Sequence, residues 1–190
     1  MSYLDSAVTV LSAIATWWLV RSYIQQWWLW IAADCMSTLL CASQGMWWMT
    51  LLYVAYVVSA VIGYLYWKKK GARQMLEKAM ILAAKGHMGQ LDKGGHPYIL
   101  HPVRVMLNCR TIEEKTVAML HDLLEDTDIT ADDMREEGFP EEIVAAVCCL
   151  TRTEEEDYTE YIERICQNKL AARVKLADLM DNMDLNRLPG

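Results

Sequence analysis

Residues 119 to 128 read "MLHDLLEDTD", a histidine and four acidic side chains within eight positions of a segment otherwise patterned as an amphipathic helix. On a continuous helix His121 and Glu125 are four apart, as are Asp122 and Asp126, so their side chains form one polar ridge. Such a ridge either faces water or holds something. The sequence around it decides which.

The flanking segments read as helices. "IEEKTVAMLHDLLED" (112–126) is expected as one helix, preceded by "ARQMLEKAMILAAKGH" (72–87) and followed by "ITADDMREEGF", "PEEIVAAVCCL", "DYTEYIERICQ" and "LAARVKLADLMDNMDL". Glycines and Pro97 in "MGQLDKGGHPYILHP" mark a polar loop, after which His101 opens a helix with Pro102 near its first position. Thr130 and Asp133 resemble a capping box with Asp in place of Glu. No run alternates with period two, so the fold class expected is all-α, without a sheet.

Composition divides the chain in two. Of 190 residues 54% are hydrophobic, and from Met1 to Trp67 only Asp5, Arg21 and Asp34 are charged, while all eight tryptophans lie there. The expected domains are 1–70, a three-helix transmembrane segment, and 71–190, an α-helical soluble domain. The spans are "YLDSAVTVLSAIATWWLV", "WWLWIAADCMSTLLCA" and "MWWMTLLYVAYVVSAVIGYLYW", the last long enough at about 20 residues to cross a hydrocarbon core. Seven of the tryptophans sit at span ends, where amphipathic rings settle among lipid headgroups. A cleaved signal is excluded by the length of the apolar region and the missing basic start. The lysines of "KKKGAR" and Arg21 place the soluble domain in the cytoplasm and the chain in the cytoplasmic membrane as a multi-pass protein, with lipid as a partner. None of the six cysteines forms a C-x-x-C pair, and a net charge of −7 argues against nucleic acid as a partner.

Four residues able to bind a metal recur at helix starts and on the ridge: His101, His121, Asp122 and Asp178. Two imidazoles and two carboxylates suit Mn2+ or another divalent metal, whereas a structural zinc site favours thiolates. Adjacent helical residues diverge by about 100°, so His121 and Asp122 share an ion only if it sits over the ridge and other helices add ligands. His87 and His96 are expected as cap or core residues, and "EEED" (154–157) as a charged loop.

The ordered motifs "GQLDKGGHPYILHP", "HDLLEDT" and "KLADLMDN" resemble the HD-domain metal phosphohydrolases, and more narrowly the hydrolase domain of the RelA/SpoT family and the small alarmone hydrolases, over about residues 72 to 188. The resemblance implies that His101, His121, Asp122 and Asp178 ligate manganese. Glu125 and Asp126 match the acidic pair that positions or activates water, Asn182 an asparagine beside the nucleotide, and Lys93 and Tyr98 the loop bordering the substrate. The implied reaction removes pyrophosphate from the 3′ position of guanosine tetra- and pentaphosphate. Two positions depart from the bifunctional members: Asp92–Lys93 stands where they have Arg-Lys, and Asp184 where they have arginine. No synthetase domain is expected within these residues, and hydrolysis alone is the expected reaction.

Residues 8 to 67, through "WLWIAAD", the glycine turn and the Tyr-rich last span, resemble the C-terminal half of PnuC-type nicotinamide riboside transporters. Trp27 and Trp30 match that family's W-x-x-W substrate-stacking pair, and Asp34 is an ionisable group at mid-span, with Ser37 or Thr50 as its structural partner otherwise. One three-helix unit is either an anchor or half of a homodimer formed through the transmembrane helices. Two rivals to the guanosine reading stay open: phosphate removal from another nucleotide such as NADPH, and a nucleotide-sensing transporter half.

Overall fold

The protein is described by a computed structural model covering residues 3–21, 24–153 and 156–183, so Asp184 and the first two residues of "EEED" lie outside it. Its helices are α1 (Tyr3–Val20), α2 (Gln26–Ser43), α3 (Trp47–Gly86), α4 (Leu100–Asn108), α5 (Ile112–Leu120), α6 (Leu123–Asp126), α7 (Ala131–Glu136), α8 (Glu141–Leu150), α9 (Tyr158–Gln167) and α10 (Lys169–Asn182). Among the described residues there is no strand, only an isolated bridge between Leu91 and Pro97. Two units follow one another in sequence, Met1–Gly71 and Ala72–Gly190.

In the first unit α1 packs along α2, and α3 meets α2 through aromatic side chains. Gly63 makes that approach possible: a Cβ there would lie 2.3 Å from the Trp27 indole, so any other residue displaces the ring. Trp28 lies against Tyr64 with ring centroids 5.2 Å apart. Three spans are expected, but among the described residues one helix, α3, is long and apolar enough to cross a membrane. The other two regions are helical: α1 is apolar over Ser6–Val20 among the residues whose side chains are described, and α2 carries Gln26 and Asp34 within its apolar run. A further difference is that the helix does not stop near Lys68: α3 runs on through Gly71 to Gly86. Lysine is a good helix former, and one interior glycine costs only about 1 kcal/mol, which cooperative flanking turns absorb.

The second unit is organised around α5. Every residue from Thr116 to Leu120 is buried, so the C-terminal half of this helix is enclosed by α4, α8 and α10 and needs no polar face. Val105, Val117, Leu120, Leu123, Val144, Val147 and Val174 form the middle of the core, each contributing about 1.5–3 kcal/mol by leaving water. Thr111 starts α5 with a capping box: its side chain accepts from the Glu114 amide while Glu114 accepts from the Thr111 amide. A second box, at Thr130 and Asp133, starts α7 as its sequence indicates. Asp157 caps α9, and Glu156 pairs with Arg164 at 2.6 Å, so this end of "EEED" is structural rather than merely solvated.

Glu114 joins α5 to α10, because its buried carboxylate also accepts from Arg173 at 2.7 Å. Burial by itself would raise this carboxyl, but the bonds from Arg173 and the Arg110 and Thr111 amides outweigh it and hold it below its ordinary 4.5. A depressed folded-state pKa means the stabilisation is fully present above the unfolded value and is lost as pH falls below about 4.5. Glu114→Gln is expected to cost about 1.5–3 kcal/mol at pH 7 and to flatten the acid side of the Tm–pH curve. Thermal denaturation across pH 3 to 7 reads both; a variant curve parallel to wild type contradicts the assignment.

Candidate metal centre

The helix expected over 112–126 is interrupted at the pair that matters. α5 ends at Leu120, His121 caps it, and Asp122 (φ −95°, ψ −5°) starts the short α6, with the Asp126 amide donating to its carbonyl. Asp122 occupies the bridge region that short polar residues tolerate. This break, not a straight ridge, brings the His121 Nε2 within 3.1 Å of the Asp122 carboxylate. Glu125 and Asp126 follow on exposed positions of α6.

Three other elements complete the cluster. His101, buried on the first turn of α4, places Nε2 3.3 Å from Asp178 and 3.5 Å from Asp122. Asp178, buried on α10, lies 3.9 Å from the His121 Nε2, and the two imidazoles stand 5.3 Å apart. Ligand atoms of His101, His121 and Asp178 all fall within 4.8 Å of one another. Asp122, partly exposed, flanks them and accepts a 2.8 Å bond from the Tyr98 hydroxyl.

The tautomers follow from the partners. The His121 Nδ1 is 2.7 Å from the Ala118 carbonyl, which can only accept, so Nδ1 carries the proton and Nε2 presents a lone pair. That buried Nε2 has no hydrogen-bond partner among the described residues. An orphaned lone pair beside carboxylate oxygens is unfavourable unless a cation lies between them, and the donor set of imidazole and carboxylate fits a divalent ion. Burial would raise the Asp178 carboxyl, yet the surroundings made by His101, His121 and Lys175, whose ammonium donates to it at 2.9 Å, hold it well below the usual range. Tyr98 is pushed up, first by burial and then by Asp122 and Asp126, so its hydroxyl stays a donor.

The cluster forms the floor of a cavity of about 710 Å³, within the size range of small-molecule sites. Lys93 stands at its rim on a tight loop in which Asp92 accepts from the Gly94 and His96 amides, and Gly95 at φ +78° makes the turn. Asn182 lines the cavity but also donates to Asp178 at 2.7 Å. His87 is a buried core residue bonded to Gln90, and His96 lies on the loop surface. Two further residues of the site are not singled out by the sequence pattern: Tyr161, whose ring lies under the Lys175 ammonium, and Asp181, which bonds His101. Only Asp181 gave a signal, three residues beyond Asp178 on the same helix.

A second cavity, about 550 Å³, lies within the first unit and brings Trp27, Trp30 and Asp34 together with Gln26, Tyr53 and Tyr56. The Ser37 and Thr50 hydroxyls, expected as partners of Asp34, donate instead to the Ala33 and Met46 carbonyls. The Gln26 amide is fully buried, and neither of its polar atoms has a partner among the described residues.

Comparison with known proteins separates the same two regions. Residues 1–69 match the family model described as nicotinamide mononucleotide transporter. Elsewhere the chain is similar to the guanosine-3′,5′-bis(diphosphate) 3′-pyrophosphohydrolase of Aquifex aeolicus, with 31% identity over 57% of this chain and 17% of the relative. It is 33% identical to the bifunctional (p)ppGpp synthase/hydrolase SpoT of Escherichia coli, again over 57% and 17% of the two chains. The chain thus spans about a sixth of the length of these curated relatives. Among solved structures it is similar to a metazoan ortholog of SpoT that hydrolyzes ppGpp and plays a role in starvation responses, at TM-score 0.50 and 26% identity over 57% of this chain and 67% of that one.

If the cluster holds an ion, His121→Ala and Asp122→Ala each lose it and lose turnover while circular dichroism stays helical. Glu125→Gln, altered outside the cluster, keeps the metal and loses rate. Metal content by mass spectrometry together with turnover reads all three variants, and a full metal complement in His121→Ala contradicts the assignment.

Proposed function

We propose that the chain is a membrane-anchored, metal-dependent hydrolase that removes pyrophosphate from the 3′ position of guanosine tetra- or pentaphosphate. The observation that carries this reading is the convergence of two imidazole Nε2 atoms on Asp178 and Asp122 at the floor of the 710 Å³ cavity. The relatives named for this reaction support it.

His101, His121, Asp122 and Asp178 would hold the ion, manganese by preference. When bound, it lowers the pKa of coordinated water and polarises a phosphoryl oxygen. The residues around it do the rest. Glu125 orients the attacking water and accepts its proton as the water oxygen bonds to phosphorus, and that proton is returned to the 3′ oxygen as its bond to phosphorus breaks. Asp126 lies beside Tyr98, which holds Asp122 by hydrogen bonding. Lys175 neutralises the far oxygen of Asp178 at 2.9 Å, leaving Lys93 at the rim to meet phosphate and Asn182 to border the nucleotide. Residues 1–70 act as a three-helix segment in the cytoplasmic membrane, in contact with lipid and paired as a homodimer, with residues 71–190 as the hydrolase domain on the cytoplasmic side.

A second reading rests on the other cavity. The buried, unpartnered Gln26 amide beside Trp27, Trp30 and Asp34, together with the transporter-family match, favours a nucleotide-sensing transporter half in which the hydrolase domain reports on a nucleotide. Phosphate removal from NADPH stands between the two.

The full chain, purified in detergent with Mn2+ and offered guanosine and nicotinamide nucleotides, separates these readings. Pyrophosphate release from guanosine 3′-pyrophosphates is expected; phosphate release from NADPH alone, or binding without turnover, overturns the main reading. A reporter fused after Gly71 is expected to read as cytoplasmic, and a periplasmic signal would defeat it.

A further inference from the structure

His121 and His101 differ in what holds them. The His121 Nδ1 proton goes to a backbone carbonyl of its own helix, a partner fixed by α5 itself. The His101 Nδ1 proton goes across the core to a side chain: it is 2.7 Å from Oδ2 of Asp181, eighty residues away on α10. Both groups are 5% exposed, so the bond is shielded from water competition. The other oxygen, Oδ1, accepts from the Arg104 Nε at 2.8 Å, and Arg104 stands on α4 three residues after His101.

From this geometry we infer that Asp181, braced by Arg104, is a positioning residue that fixes the orientation and tautomer of His101 and thereby sets the affinity of the metal centre. The inference rests on the metal reading above and deepens it. A carboxylate ion can only accept, so Nδ1 must carry the proton and Nε2 must present its lone pair toward Asp178 and Asp122. An imidazole on the first turn of a helix could otherwise swing about χ1 and χ2, or present the wrong nitrogen. Asp181 also sits three residues beyond Asp178 on α10, so one helix supplies both a proposed ligand and the group that aims a second one. Arg104 neutralises a carboxylate that would otherwise add a further negative charge beneath an already acidic floor. Outer partners of this kind alter metal affinity by about 10–100-fold when removed.

The test is Asp181→Asn in the full-length chain, purified in detergent and freed of metal. Asparagine keeps the volume and one acceptor, but its amide can equally turn its NH2 toward His101 and select the other tautomer. Calorimetric titration with Mn2+ is expected to show about 10–100-fold weaker binding with apo helicity unchanged. In histidine-15N-labelled, Zn2+-loaded protein, the wild type is expected to show a slowly exchanging Nδ1 proton on His101 that the variant loses. Arg104→Gln, which leaves Asp181 in place, is expected to weaken binding by less. His101→Ala is the control for the underlying reading: if it binds Mn2+ as wild type does, the metal centre itself is misassigned. If His101→Ala loses the metal while Asp181→Asn keeps wild-type affinity and the Nδ1 proton signal, the positioning role alone is overturned. A lower apo Tm with unchanged affinity and unchanged proton signal likewise makes Asp181 a purely structural residue.

Discussion

The direction in which two imidazoles donate their Nδ1 protons governs the rest of the second unit's chemistry. His121 gives its proton to the Ala118 carbonyl and His101 gives its own to Asp181, so both Nε2 atoms face Asp178 and Asp122. For these bonds to hold, α5 must be buried up to its last residue, the chain must break at Asp122, and α4 and α10 must lie close enough for a side chain of one to reach the other. The buried valines and leucines around α5 and the Glu114–Arg173 link supply that rigidity. Packing here serves to aim two nitrogen lone pairs.

The charge balance of the cavity gives the cluster its functional meaning. Four acidic residues line it, Asp92, Asp122, Glu125 and Asp178, against Lys93 and Lys175. Lys175 is committed to Asp178, and Asp92 holds the backbone of its own loop. A site so acidic repels an anion unless it carries cationic charge of its own, and a divalent ion held by the floor residues would supply that charge, as the proposed reaction requires. Asp92, which stands where longer relatives of the resembled family carry arginine, shapes the loop that presents Lys93.

Much of this was legible in the sequence, and what was not has identifiable causes. The all-α fold followed from the absence of period-two runs, and the Thr130 cap from its spacing to Asp133. The helix break at His121–Asp122 is hidden because "MLHDLLED" keeps helical periodicity on both sides of it, and a break confined to two residues leaves no trace in composition. The continuity of α3 through "KKKGAR" is not legible there because a charge boundary marks a change of solvent, not of backbone conformation. Asp181 was passed over because its role depends on a contact eighty residues distant. In the first unit Trp27, Trp30 and Asp34 were singled out by type and depth. Gln26, the residue whose burial most needs explaining, resembled an ordinary polar residue at a helix start.

The most direct measurement is electron–nuclear double resonance on Mn2+ bound to the full-length chain in detergent. The account predicts hyperfine couplings from two inequivalent imidazole nitrogens on a single ion, because His101 and His121 each offer Nε2 to the same centre. A bound Mn2+ with no nitrogen coupling, surrounded by oxygen alone, would contradict it.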